Sequence, residues 1–341
     1  MTSTSSRLCA ATLLALAGAS CAPAEPDGPA VGVDGADGGA DGADGGAVEG
    51  QVTGPELDAG FGAAVATRGD RVWVGAPHGA QGAVYEIDGS RTVEVLTGDG
   101  RLGASVALAT GAGLAGAPLA DRALDAAGAI MVTGPSAGLA VAVADDGRWA
   151  VATGTGVRTD NGAELTTPGR PASLAFGPEA LGVGMPVGTI AALLGSTRWR
   201  RPEQADEAGY SLASGDLDGD GEVEWVVGAP GAGVVWVLSS DGTPETRLAS
   251  DLGRFGHSVA VADVDGDGAD DLLVGAPTDQ DHRGAAALYL NGDLEAAAAT
   301  WYGPDPGDQL GFAVAAAPGR VVLGAPGAPG TPGFVQVLPS P

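Results

Sequence analysis

The chain has 341 residues, of which 60 are glycine, 23 proline and only 4% aromatic. An interior helical glycine costs about 1 kcal/mol relative to alanine, so this composition argues against a helix-rich enzyme and for many short strands joined by glycine turns. The net charge is −27, which disfavours a nucleic-acid partner, and all 16 basic residues are arginines, which excludes lysine-centred catalysis.

Met1–Ser20 reads as an export signal: Arg7 is its charge, Leu8–Leu16 its apolar stretch, and Gly18-Ala19-Ser20 its small residues. It resembles a bacterial lipoprotein signal, which implies lipidation at Cys21 and a chain held to the cell envelope by a lipid anchor alone. Ordinary secretion is the alternative. Residues 21–46 form a tether of aspartate, glycine and alanine without apolar period, expected to stay extended. The only cysteines are Cys9 and Cys21, so the remainder has no disulfide, no thiolate nucleophile and no cysteine-ligated zinc. His78, His257 and His282 are too far apart for a local HExxH site.

From residue 47 onward the sequence repeats. The best copy runs Phe255-Gly256-His257-Ser258-Val259-Ala260-Val261-Ala262, then an acidic loop, then Asp271-Leu272-Leu273-Val274-Gly275-Ala276-Pro277. Alternation after Phe255-Gly256 predicts a strand, and the run ending in Gly-Ala-Pro predicts a second. Copies start at 61, 102, 137, 170, 208, 255 and 310, the third and fourth being degraded. Spacings of 33 to 55 residues suit one four-stranded propeller blade each. Ala83–Ile87, Val234–Leu238 and Ala286–Leu290 are third-strand candidates, and Thr92–Leu96 is a fourth. The last copy lacks a fourth strand, so Ala47–Thr53 is predicted to complete that blade and close an all-β, seven-bladed propeller over residues 47–341.

Phe-Gly followed by Gly-Ala-Pro resembles the FG-GAP repeat of the N-terminal propeller of integrin α chains. The resemblance implies a calcium-bearing propeller that binds partners through loops.

Two copies are longer than the rest. Ser211 to Gly228 and Ser258 to Gly275 span 17 residues, against 11 or 12 in the other five. The additional residues are acidic: Asp216, Asp218, Asp220, Glu222 and Glu224 in one loop, and Asp263, Asp265, Asp267 and Asp271 in the other. Carboxylates at positions 1, 3, 5 and 9 around a glycine at 6, with a backbone carbonyl at 7 (Glu222 or Ala269), make an oxygen cage for a hard cation. The expectation is about two calcium ions per chain. The loops also resemble the FG-GAP calcium loop, except that Glu224 stands where that family usually has aspartate. Arg71, Arg148 and Arg320 occupy position 9 in three short copies and mark them as metal-free.

Two further segments are candidates for binding a protein or glycan. Arg198-Trp199-Arg200-Arg201 gathers cations around a tryptophan, a composition typical of interaction hot spots when the ring is exposed. The alternative is a tryptophan packed on a neighbouring blade. The resemblance implies that such an inter-blade segment lies on the face opposite the calcium loops, and Asp281-His282-Arg283 is predicted on that face too. Arg68-Gly69-Asp70 reads as a polar hairpin turn. No catalytic constellation stands out, and the expected function is a non-catalytic binding or adhesion module. The rivals are a hydrolase or lyase working in the propeller funnel, with His282 or funnel aspartates, and a structural part of a surface assembly.

Overall fold

The computed structural model describes residues 50–340 apart from 58, 80, 179 and 203–205. The export signal, Cys21 and the tether lie outside the described residues. Among the described residues no helix is long and apolar enough to cross a membrane.

Seven four-stranded antiparallel sheets follow one another along the chain. Blade 6 is representative: Ser258–Ala262, Asp271–Ala276, Ala285–Tyr289 and Ala299–Tyr302, paired in that order. The first strands contact one another in a closed ring, blade 1 (Ala64–Arg68) meeting both blade 2 (Ser105–Ala109) and blade 7 (Ala313–Ala317). Blade 7 takes its outer strand from the start of the propeller, Gln51–Thr53 pairing antiparallel with Phe334–Pro339. The antiparallel order puts the turns between strands 1 and 2, and between strands 3 and 4, on one face. Those between strands 2 and 3, and between blades, lie on the opposite face.

The repeat's glycines have a common steric reason. Gly256 has φ 88°, and its N–H donates to the carbonyl of Gly275 in its own blade at 3.2 Å. A Cβ on Gly275 would in turn collide with the carbonyl oxygen of Gly311, the same glycine one blade on. Adjacent blades thus interlock glycine into glycine, and the closing pair is Gly324 against Gly62. In blade 4 Pro171 cannot donate, and the N–H of Ala172 bonds the Gly184 carbonyl instead at 2.9 Å. The preceding apolar residue plugs the seam: Phe61, Leu102, Phe255 and Leu310 are all fully buried. Removing such a plug is a cavity-forming change.

Three residues that follow these glycines meet on the funnel side of blades 5 to 7. His257 is buried, with Nε2 3.2 Å from the Tyr210 hydroxyl and Nδ1 3.0 Å from the Phe312 carbonyl. Nδ1–H therefore donates to Phe312 and Nε2 accepts from Tyr210, which is the neutral ring. Loss of solvent first, and the Arg254 guanidinium second, push its pKa down to about 3. An unfolded histidine takes up a proton near pH 6.5. Stability from this group is complete above that value and falls as pH drops toward 3, by up to about 1.4 kcal/mol per pH unit. His257→Gln is expected to flatten the stability profile between pH 6.5 and 4 in urea unfolding. Parallel profiles for the two proteins would show that the ring does not set this slope.

Candidate metal centre

Both long loops connect strands 1 and 2, of blades 5 and 6, and therefore lie side by side on one face. In the first, Asp216, Asp218 and Glu224 bring carboxylate oxygens within 4.8 Å of one another; in the second, Asp263, Asp265 and Asp271 do the same. These are positions 1, 3 and 9 of the sequence pattern. Position 9 converges because it begins strand 2: Glu224 pairs with Gly215, and Asp271 with Ala262. Position 2 anchors each loop. Leu217 and Val264 are buried in the seams with blades 6 and 7, while Asp218 and Asp265 beside them are exposed.

Backbone N–H groups fix the loop geometry. Asp216 Oδ2 accepts from Gly221 at 2.9 Å, and Asp263 Oδ1 and Oδ2 accept from Gly266 at 2.7 Å and Gly268 at 3.2 Å. Glu224 Oε2 accepts from Leu217, and Asp271 Oδ2 from Val264, both at 2.8 Å. Asp220 and Asp267 stand outside the three-carboxylate groups. Their Oδ1 atoms accept from Glu222 at 2.7 Å and Ala269 at 2.9 Å, which turns the backbone of position 7.

These contacts leave excess negative charge. Burial raises the Glu224 pKa to about 7 against the Leu217 hydrogen bond, with Asp218, Glu245 and Asp216 adding to the rise. Asp271 is raised by burial too, opposed by the Asn291 and Val264 N–H groups. Asp216 Oδ1 is buried without a hydrogen-bond partner. A hard divalent cation fits this donor set: every donor is an oxygen, three carboxylates converge, and one buried lone pair is unused.

The five short copies close the same face by other means. Arg71 makes a two-point pair with Glu86, at 3.1 and 3.0 Å, and Trp73 Nε1 donates to the same carboxylate at 2.9 Å. Arg320 reaches Asp70 of blade 1 at 3.0 Å, and Arg68 pairs with Asp145 of blade 3. Thr110 of blade 2 also donates to Asp145, at 2.9 Å from its N–H. Arg148 bonds the Pro178 carbonyl of blade 4 at 3.1 Å. Arg71, Arg148 and Arg320 thus put a cationic side chain at the position where the long loops put their last carboxylate. Arg68 and Asp70 are both engaged with other blades, which makes Arg68-Gly69-Asp70 a structural turn.

The partner-binding candidates fare differently. Trp199 is not an exposed anchor. Thr197–Arg200 is the fourth strand of blade 4, and its alternation turns Trp199 inward, 6% exposed, edge-on to Trp236 with centroids 6.0 Å apart. Arg201 is not free either: it is buried in an ion pair with Asp206 and donates to the carbonyls of Met185, Ala208 and Gly188 at 3.0, 3.1 and 2.8 Å. Only Arg198 and Arg200 stay exposed, on the outer strand of blade 4. Asp281 and His282 are exposed on the face opposite the acidic loops, while Arg283 is tied to the carbonyls of Gly303 and Pro304. Gln280, Asp281 and His282 have φ of 46°, 60° and 61°, three successive non-glycine residues in the left-handed region. The sequence carried no signal for that turn.

The seven sheets define the class of fold: a seven-bladed β-propeller. Residues 216–274, which span both acidic loops, match the FG-GAP-like repeat family. No curated protein matches the chain. Among solved structures it is similar to Kuenenia stuttgartiensis Hydrazine Synthase, with a TM-score of 0.58 at 13% identity, covering 86% of this chain and 99% of that one. At that identity the likeness concerns the fold alone.

Proposed function

We propose that the chain is a calcium-braced binding module, carried at the cell envelope on Cys21, that engages a protein or glycan through the face opposite its acidic loops. The observation carrying the calcium part is the pair of three-carboxylate clusters, one of which holds a buried, unpartnered oxygen. Calcium here braces blades 5 and 6 and performs no chemistry. The left-handed turn Gln280–Asp281–His282 supports the binding part, because strain of about 1–3 kcal/mol per residue persists where a loop is held for a use.

A bound-metal count tests the reading. The full chain dialysed against calcium is expected to retain about two ions. Asp218→Asn and Asp265→Asn are each expected to remove one. A count unchanged by either substitution would place any bound metal elsewhere, and a count near zero in the unaltered chain would end the calcium reading.

A further inference from the structure

We infer that the two acidic loops are energetically coupled, and that Asp270 is the positioning residue that couples them. The inference rests on the calcium reading above. Asp270 is position 8 of the second loop, outside the pattern of ligands at positions 1, 3, 5, 7 and 9. Its carboxylate stays hydrogen-bonded to the backbone of Asp263 in its own loop and also crosses the seam to blade 5. There Asp270 Oδ2 accepts from the backbone N–H of Asp216 at 2.9 Å, and the Asp270 N–H donates to the Asp216 carbonyl at 2.7 Å. Both backbone groups of the first ligand of loop one are therefore held by one residue of loop two.

The packing around this clamp leaves little slack. A Cβ on Gly215 would collide with Asp270 Oδ2, so the carboxylate lies directly on the strand that enters loop one. A Cβ on Gly219 would touch the Ala269 methyl at 3.5 Å, and one on Gly292 would press on the Leu217 carbonyl at 2.9 Å. Asp271, the last carboxylate of the second cluster, is joined to Asp270 by a single peptide bond and is itself fixed by the Asn291 N–H at 3.0 Å. An ion that fixes Asp271 thereby fixes Asp270, and Asp270 fixes Asp216. The first ion bound bears the ordering cost of both loops and the second binds to a prepared site, which is positive coupling and by linkage acts in both directions.

A double-mutant cycle on the full chain, read by calcium titration calorimetry, tests this. Asp265→Asn, which disables the second cluster, is expected to weaken calcium at the first by about fivefold or more. In an Asp270→Ala background the same substitution is expected to change that affinity by less than about twofold. Asp270→Asn keeps an oxygen acceptor for the Asp216 N–H and is expected to retain the coupling; circular dichroism checks that each variant is folded. Two ions bound with the first site indifferent to Asp265→Asn would overturn the coupling while leaving the calcium reading intact. Coupling that survives undiminished in Asp270→Ala would overturn the role of Asp270. A wild-type chain that binds no calcium would overturn both.

Discussion

In saturating calcium the chain is expected to unfold about 10 °C above its chelated form. Each cluster sets three carboxylates within 4.8 Å, and among the described residues no ion pair engages them. Elsewhere on this face the balance is made by Arg71, Arg148 and Arg320, at the strand position that Glu224 and Asp271 occupy in the long copies. Burial first, and the neighbouring carboxylates after, hold the Glu224 pKa above its ordinary value. A bound cation offsets the carboxylate charge only in the folded state, because the unfolded chain has no cluster. At a hundred times the dissociation constant one site contributes about 2.7 kcal/mol, and two contribute about 5. A domain as long as residues 47–341 gains about 2 °C per kcal/mol, which gives the figure above. Differential scanning calorimetry in 0.15 M salt checks it, with magnesium at equal concentration separating site binding from charge screening. A calcium-dependent rise below about 2 °C, or an equal rise in magnesium, would show that the loops are acidic turns without a specific ion.

Much of this was legible because the repeat is a set of steric and electrostatic necessities. Gly256 and Gly275 recur because the carbonyl of one blade abuts the α-carbon of the next, and Phe255 recurs because the seam needs a plug. The acidic loops were legible as insertions: five or six residues added to one turn, with carboxylates at alternate positions around glycines, have few other uses. What stayed hidden was mostly the contact between distant parts of the chain. Arg320 and Asp70 meet only because the ring closes, and Arg68 meets Asp145 of blade 3. The ligand pattern at positions 1, 3, 5, 7 and 9 passes over Asp270, whose contact lies in the neighbouring blade. The reading of Trp199 was open to correction from the sequence itself. Thr197-Arg198-Trp199-Arg200 alternates with the period of a strand, which turns the ring toward one side and both arginines toward the other. Trp199 packed on a neighbouring blade is the alternative that the sequence left open.

Arg201 carries the other large expectation. Substituting it with alanine is expected to lower unfolding stability by about 3–5 kcal/mol, although it lies far from either cluster. Its side chain is 7% exposed and that of its partner Asp206 is 3% exposed, so the pair has little access to water. The guanidinium also closes three backbone carbonyls, those of Met185 and Gly188 in blade 4 and Ala208 at the entry to blade 5. Truncation leaves the Asp206 charge buried without this guanidinium and opens those carbonyls at once, and a buried charge stripped of its cation is costlier than the pair was stabilising. Arg201→Met with Asp206→Leu removes both charges and is expected to recover part of the loss. The position has a consequence for the metal centre. Ala208 leads directly into Ser211–Gly215, whose far end opens the first acidic loop. A loosened seam at Arg201 therefore frees the strand that delivers Asp216, and calcium at the first cluster is expected to weaken, with a smaller loss at the second through the Asp270 contact. Guanidinium unfolding in saturating calcium reads the stability and titration calorimetry reads the two sites. A loss below about 1 kcal/mol would mean that water reaches Asp206 once the arginine is gone, and that the blade 4 to blade 5 seam is held by its apolar packing alone.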